Sequence, residues 1–260
     1  AALAAVNHED MHTVEKASEI IHSVITAASM PADMGDAIRA RFKELGVPLV
    51  AVRSSATAED GVTAAWAGQL NTFLNTSETD LLHKVQECWA SLFTPRAIFY
   101  RFEKGMEGQH ISVAVVVQKM VQADVSGVAF SVHPVTEDPN ELIIEASYGL
   151  GESIVSGQVT PDSYVVSKEP RELLEKTIAT KTRGLYKKEG GGNEWRDVPE
   201  AQRDVQALTD EQILALSDVV VRIEQHYGFP CDSEWALEDG TLYITQSRPI
   251  TTLSARSSLL

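Results

Sequence analysis

The residues best suited to chemistry lie in one short stretch, Cys231 to Ile250, which reads CDSEWALEDGTLYITQSRPI. Two alternating runs flank Glu238-Asp239-Gly240, and Asp-Gly between such runs is a strong hairpin signal. Asp232 and Glu234 are two apart on the first strand, so their side chains share a face. Gln246 and Arg248 have the same spacing on the second. Carboxylates hold a hard cation, an amide adds a neutral oxygen, and a guanidinium clamps phosphate oxygens. The set therefore suits Mg²⁺ with a polyphosphate. The competing reading is a solvent-facing strand pair with incidental charges.

A second stretch of the same character follows a short apolar strand at Pro48 to Val52. It reads RSSATAEDGVTAAWAGQ, from Arg53, and leads into the strand-like LNTFLN, Leu70 to Asn75. Small residues let backbone N–H groups approach an anion, and hydroxyls add donors. Arg53 sits at the mouth of the strand, where it could pair with phosphate. An ordinary Ser/Thr/Ala loop is the alternative. The sequence holds no G-x-x-x-x-G-K-[ST] and no G-x-G-x-x-G, so a nucleotide would bind by another scheme.

Composition bounds what these stretches could serve. The chain has 260 residues, 43% of them hydrophobic, enough for one large domain or two small ones with a packed core. Its formal net charge of −15 argues against nonspecific nucleic-acid or anionic-membrane binding. No run of apolar residues is long enough to span a bilayer. Cys88 and Cys231 have neither metal-ligand spacing nor a disulfide framework, which favours a reducing cytoplasm. The chain does not start with Met, as expected of a piece of a longer protein.

The positioning elements follow from periodicity. Helices are expected over about 11–28, with Ile20, Ile21, Val24 and Ile25 as the apolar stripe, and over 31–45, stopped by Gly46. Ser77 is expected to cap a helix to about Leu92. Thr94-Pro95 opens another that ends near Gly105. ISVAVVVQKMV, from Ile111, reads as a long buried central strand, with Asp124 to Pro134 as its hairpin partner. ELIIEAS gives a further strand, followed by a Gly-rich turn at Gly149 to Gly157. Strand character returns at Ser163 to Ser167 and Thr177 to Thr182. Lys187 to Asn193 is a polar, Gly-rich loop, expected to be an excursion within one domain. Thr209 with Gln212 fits a capping box for the last helix, which Gly228 stops. The fold class is α+β.

VAVRSSATAED with AWAGQLNTFLN, VVVQKMV with SGVAFSVHP, IIEASYGLGESIVSGQVTPDSY, and DSEWAL with YITQSRP occur in this order. Together they resemble the nucleotide-binding domain of the phosphoenolpyruvate synthase and pyruvate phosphate dikinase family, which rifampicin phosphotransferase shares. The resemblance runs from about Pro48 to Thr252. It implies an ATP-grasp fold, with ATP between two α+β subdomains, N-terminally truncated relative to the family. The expected domains are 1–110, with the phosphate-binding loop of an incomplete first subdomain; 111–252, with the adenine hinge and metal site; and a tail, 253–260.

The resemblance also implies roles. Arg53 contacts the phosphates. Gly68 and Thr72 belong to the loop covering the phosphate chain. Gln118, Met120 and Val121 form the hinge that meets adenine. Glu234 and Gln246 are Mg²⁺ ligands, with Asp232 beside them, and Arg248 contacts the transferred group. ATP would become AMP and phosphate. The β-phosphoryl would pass to a His on a separate swivelling domain and then to pyruvate or another acceptor. Neither the carrier His motif nor an acceptor domain is present in this sequence, and His133 is not expected to replace the carrier. The alternatives are a rifampicin phosphotransferase domain, a nucleotide-binding regulatory module without catalysis, and an acidic interaction protein.

Overall fold

A computed structural model describes residues 2–56, 60–61, 64–65, 70–106, 111–251 and 253. The chain divides into two compact units: Ala1–Met120 with Glu189–Gly192, and Val121–Lys188 with the chain from Asn193 onward. The strand beginning at Val113 pairs back onto Val50–Ala56 and belongs to the first unit.

In the first unit, helices α1 (Met11–Ala27) and α2 (Ala32–Glu44) precede strand β1 (Val50–Ala56). Short strands β2 (Asp60–Gly61) and β3 (Ala64–Ala65) pair with each other. Then come β4 (Thr72–Thr76), α3 (Leu81–Ala90), α4 (Pro95–Glu103) and β5 (Val113–Lys119). β4, β1 and β5 form an antiparallel three-stranded sheet in that order. Val50 and Val52 turn one face of it into a core with Phe42, Leu81, Val85 and Cys88.

Three expectations fail here. β5 is an edge strand of its sheet among the described residues, not a buried central one, and Val116 is exposed. A run of valines alone does not tell an edge from a centre. On α1 the buried residues are Val14, Ala17 and Ser18, while Ile20 and Val24 face outward. The cap of α3 is Asp80 rather than Ser77, whose hydroxyl instead bonds the Asp80 carboxylate at 3.1 Å. The Thr94 cap with Pro95 in the first turn of α4 agrees with the sequence reading.

The second unit is a six-stranded antiparallel sheet, order β13-β12-β6-β7-β8-β9. Its members are β6 (Val125–Phe130), β7 (Glu141–Tyr148), β8 (Asp162–Ser167), β9 (Glu172–Thr177), β12 (Cys231–Glu238) and β13 (Thr241–Pro249). The short helix α5 (Glu152–Val155) lies in the Gly-rich turn, the hairpin β10 (Arg183–Lys187) and β11 (Asn193–Asp197) follows β9, and α6 (Asp210–Tyr227) precedes β12. β6 pairs with β12 and β7, so it is not the hairpin partner of β5. The strand expected at Thr177–Thr182 lies earlier, as β9. Gly190, Gly191 and Gly192, in the β10–β11 turn, all have positive φ. That tract is split, since Glu189–Gly192 group with the first unit.

One face of the large sheet carries Val125, Ala129, Leu142, Ile144, Tyr164, Trp235 and Leu237. α6 covers it with Ile213, Leu216 and Val220. The Thr209–Gln212 capping box and the left-handed Gly228 fix where that helix starts and stops. The opposite face carries Asp232, Glu234 and Glu145 among apolar residues such as Phe130 and Ile143.

Candidate functional site

The hairpin at Cys231–Pro249 forms as expected, and its register brings the four polar residues together. Asp232 lies opposite Arg248, and Glu234 lies opposite Gln246. Directly opposed residues share a sheet face, so all four stand on the side away from α6. Ser233, between the two acids, is fully buried on the other side, where its hydroxyl lies 3.2 Å from that of Ser247.

A break in register makes this arrangement possible. Nearer the turn, Leu237 opposes Leu242 and Trp235 opposes Ile244, all four toward the apolar core. Strict alternation would put Gln246 and Arg248 on that core side too, because they share the parity of Leu242 and Ile244. Between Glu234 and Trp235 the register shifts, and Thr245 is the extra residue. A bulge of this kind re-aims the side chains beyond it.

Arg248 and Asp232 are directly joined. Arg248 Nε and Nη2 both donate to Asp232 Oδ2, at 2.9 and 2.7 Å. The Asp232 side chain is 13% exposed and that of Arg248 41%. Glu145 on β7 is on the same face, one strand beyond Val128, which opposes Glu234. Burial pushes the Glu145 carboxyl above its ordinary value, and the Asp232 charge pushes it the same way. Sequence reading missed Glu145; the available signal was an acid inside the apolar run Leu142–Ala146.

In the first unit, Arg53 lies opposite Thr72 on β4 and opposite Val116 on β5. Gln118 opposes Ala51, so it shares the face of Arg53, away from the Val50–Val52 core. The Ser54 hydroxyl anchors the next position by donating to Asn71 O at 2.9 Å, and lies 3.3 Å from the Ser91 hydroxyl. Met120 follows the end of β5 and donates its N–H to Leu49 O at 3.3 Å. Val121 opens the second unit. Gly68 lies outside the described residues.

The other chemistry-bearing residues are structural. His133 Nδ1 accepts from Val135 N and Thr136 N, both at 3.2 Å, which closes its own turn. Cys88 and Cys231 are buried, and burial pushes both thiols up.

The donor set fits a small hard cation. Among the described residues no three His, Cys, Asp or Glu side chains converge as a metal cage. Mg²⁺ does not need one, because it is commonly held by one or two carboxylates, retained waters and substrate phosphates. Glu234 and Gln246, paired across the hairpin, offer two oxygens, and Asp232 has Oδ1 outside its bonds to Arg248. Among the described residues no helix is long and apolar enough to cross a membrane.

Comparison with known proteins adds the context. The family described as pyruvate phosphate dikinase, AMP/ATP-binding domain, matches residues 1–259. The chain is 44% identical over 258 residues to a probable phosphoenolpyruvate synthase of Methanocaldococcus jannaschii, covering 96% of this chain and 22% of that protein. It is 42% identical over 265 residues to phosphoenolpyruvate synthase of Pyrococcus furiosus, covering 96% of this chain and 32% of that protein. It is 42% identical over 253 residues to rifampicin phosphotransferase of Bacillus cereus, covering 96% and 29%. The chain thus spans between about a fifth and a third of the relatives named here.

Proposed function

The chain belongs to the pyruvate phosphate dikinase AMP/ATP-binding domain family, and on that premise we propose that it binds Mg·ATP for a phosphoenolpyruvate-synthase-like phosphotransferase. The observation that carries the reading is the hairpin register, which sets Glu234 against Gln246 and Asp232 against Arg248 on one face. In this reading the fold is an ATP-grasp. Glu234 and Gln246 hold Mg²⁺, with Asp232 Oδ1 as a third donor. Arg248 and Arg53 contact phosphates, Thr72 and Gly68 belong to the phosphate loop, and Gln118, Met120 and Val121 meet adenine through backbone groups.

The chemistry asked of these residues is positioning and charge neutralisation, as in phosphoryl transfer generally. Bound Mg²⁺ supplies charge to the phosphate oxygens. Arg248 orients the group to be transferred and stabilises the charge spread over its equatorial oxygens. The hairpin register sets Glu234 and Gln246 side by side on one face, so both can reach the same cation. The β-phosphoryl then goes to a His on a swivelling domain as AMP leaves, water takes the γ-phosphoryl as phosphate, and the β-phosphoryl passes from the His to pyruvate. A second acceptor, rifampicin, is supported by the relative of that name at 42% identity over 96% of the chain. Two buried, unlinked thiols suit a reducing cytoplasm.

Calorimetric titration with Mg·ATP tests the reading. Glu234→Gln keeps the fold and loses about 1.5–3 kcal/mol of Mg-dependent binding, the worth of a charge-assisted contact. ATP stabilises the chain against heat more than GTP, because a hydrogen-bonding edge rejects the mismatched base. Unchanged Mg·ATP affinity in Glu234→Gln, or equal stabilisation by both nucleotides, overturns the assignment.

A further inference from the structure

We propose that Asp232 is a positioning residue for Arg248, fixing the guanidinium plane so that its outer edge is presented to phosphate, and that it does this whether or not a metal is bound. The proposal rests on reading this face as a phosphate site, and it gives Asp232 a task separate from any bond to Mg²⁺.

The geometry is specific. Asp232 Oδ2 takes Nε–H and one Nη2–H of Arg248, at 2.9 and 2.7 Å. Those hydrogens form the inner edge of the planar fork. The outer edge, made by Nη1 and the second Nη2 hydrogen, lies outside those two bonds and can meet a phosphate bidentately. The carboxylate is well shielded and the guanidinium is partly open, at 13% and 41% side-chain exposure. The acid therefore acts as the inner anchor and the arginine as the outward-facing group. Cross-strand pairing of Asp232 with Arg248 on one side and Phe130 on the other holds the anchor itself still. An unanchored arginine must be ordered when phosphate binds, and each immobilised long side chain weakens association.

This role predicts an effect of unexpected sign. Asp232 is negative, and so is a polyphosphate. If its charge were all that mattered, neutralising it would strengthen metal-free anion binding. If it positions Arg248, neutralising it weakens that binding instead. A role confined to Mg²⁺ predicts no weakening without metal.

The experiment measures tripolyphosphate and ATP binding to the whole chain in EDTA, and Mn²⁺ affinity separately. Asp232→Asn is expected to weaken metal-free binding about two- to tenfold, the ordering of one rotamer-rich side chain. On an Arg248→Lys background the same substitution should not weaken it, because a point charge has no plane to fix. Tighter or unchanged metal-free binding in Asp232→Asn, with only Mn²⁺ affinity reduced, overturns this inference and leaves the Mg·ATP reading standing. Failure of the wild-type chain to bind either polyphosphate overturns both. Should Asp232→Asn not fold, NMR of the wild-type chain decides. A resolved, slowly exchanging Arg248 Nε–H signal is expected, and a rapidly exchanging one refutes the anchor.

Discussion

Two single-residue deletions in β13 should have opposite consequences, because one removes an extra residue and the other a paired one. Deleting Thr245 takes out the residue that interrupts the register. Ile244 and Gln246 become chain neighbours and still alternate, so Glu234 keeps Gln246 and Asp232 keeps Arg248. The loss is the local twist of the bulge and whatever Thr245 contributes, about 1 kcal/mol by the usual scale of single changes. Deleting Ser247 moves Arg248 one place along, opposite Ser233, whose side chain is fully buried on the core side. The two bonds from Arg248 to Asp232 are then broken, and a carboxylate that is 13% exposed loses its partner. The Asp232–Arg248 pair is partly solvated, but Arg248 would now face the core side opposite Ser233, and an unpaired buried charge there costs about 3–5 kcal/mol. The deletions should therefore differ by about 2–4 kcal/mol, the difference between those two costs. Urea unfolding followed by circular dichroism measures the stability gap, and Mg·ATP calorimetry measures what remains of the site. Binding survives deletion of Thr245 and is lost on deletion of Ser247. Equal losses, or a worse outcome for deletion of Thr245, would refute the argument that cross-strand pairing aims these side chains.

Three further outcomes follow from particular contacts. Lys181 and Asp162 are fully buried and ion-paired, and Asp162 also accepts from Tyr164 Oη and from Ala179 and Ala207 N–H. Lys181→Met should thus cost about 3–5 kcal/mol in urea unfolding, the penalty for orphaning a buried charge, and a loss under about 1 kcal/mol contradicts this. Gly127→Ala should abolish a folded second unit, judged by soluble yield and near-UV dichroism, because its Cβ would lie 1.8 Å from Glu145 O and 2.9 Å from Trp235 Cζ2. Glu145 has a carboxyl raised by burial and by Asp232. The folded state therefore holds that proton better than the unfolded chain, and this contribution is lost as pH rises through the folded value. Glu145→Gln should then melt higher than the wild type at pH 7, with the gain vanishing below about pH 4, where the unfolded carboxyl also protonates. A gain that grows on acidification contradicts the sign.

Much of this was legible in the sequence because it depends on neighbours along the chain. Asp-Gly marked the hairpin, spacing of two put Asp232 with Glu234, and the Thr209–Gln212 box with Gly228 bounded the last helix. Those are local rules of turn chemistry, pleat and capping. The order of quoted segments likewise sufficed to recognise the family that matches residues 1–259. What the sequence left open depends on partners distant in the chain. Valine-rich β5 looks like a central strand until its pairing with β1 and its exposed Val116 make it an edge. Ile20 and Val24 fit an apolar stripe, yet packing buries Val14 and Ala17 instead. The face on which Gln246 and Arg248 stand needed the bulge at Thr245, which no local pattern announces. Glu145 joined that face only through the pairing of β7 with β6 and of β6 with β12. Local rules act within a few residues, so sequence alone set the elements and the residue types. Register and strand order are decided by burying one shared core, and only the tertiary structure could say which polar groups that core leaves together.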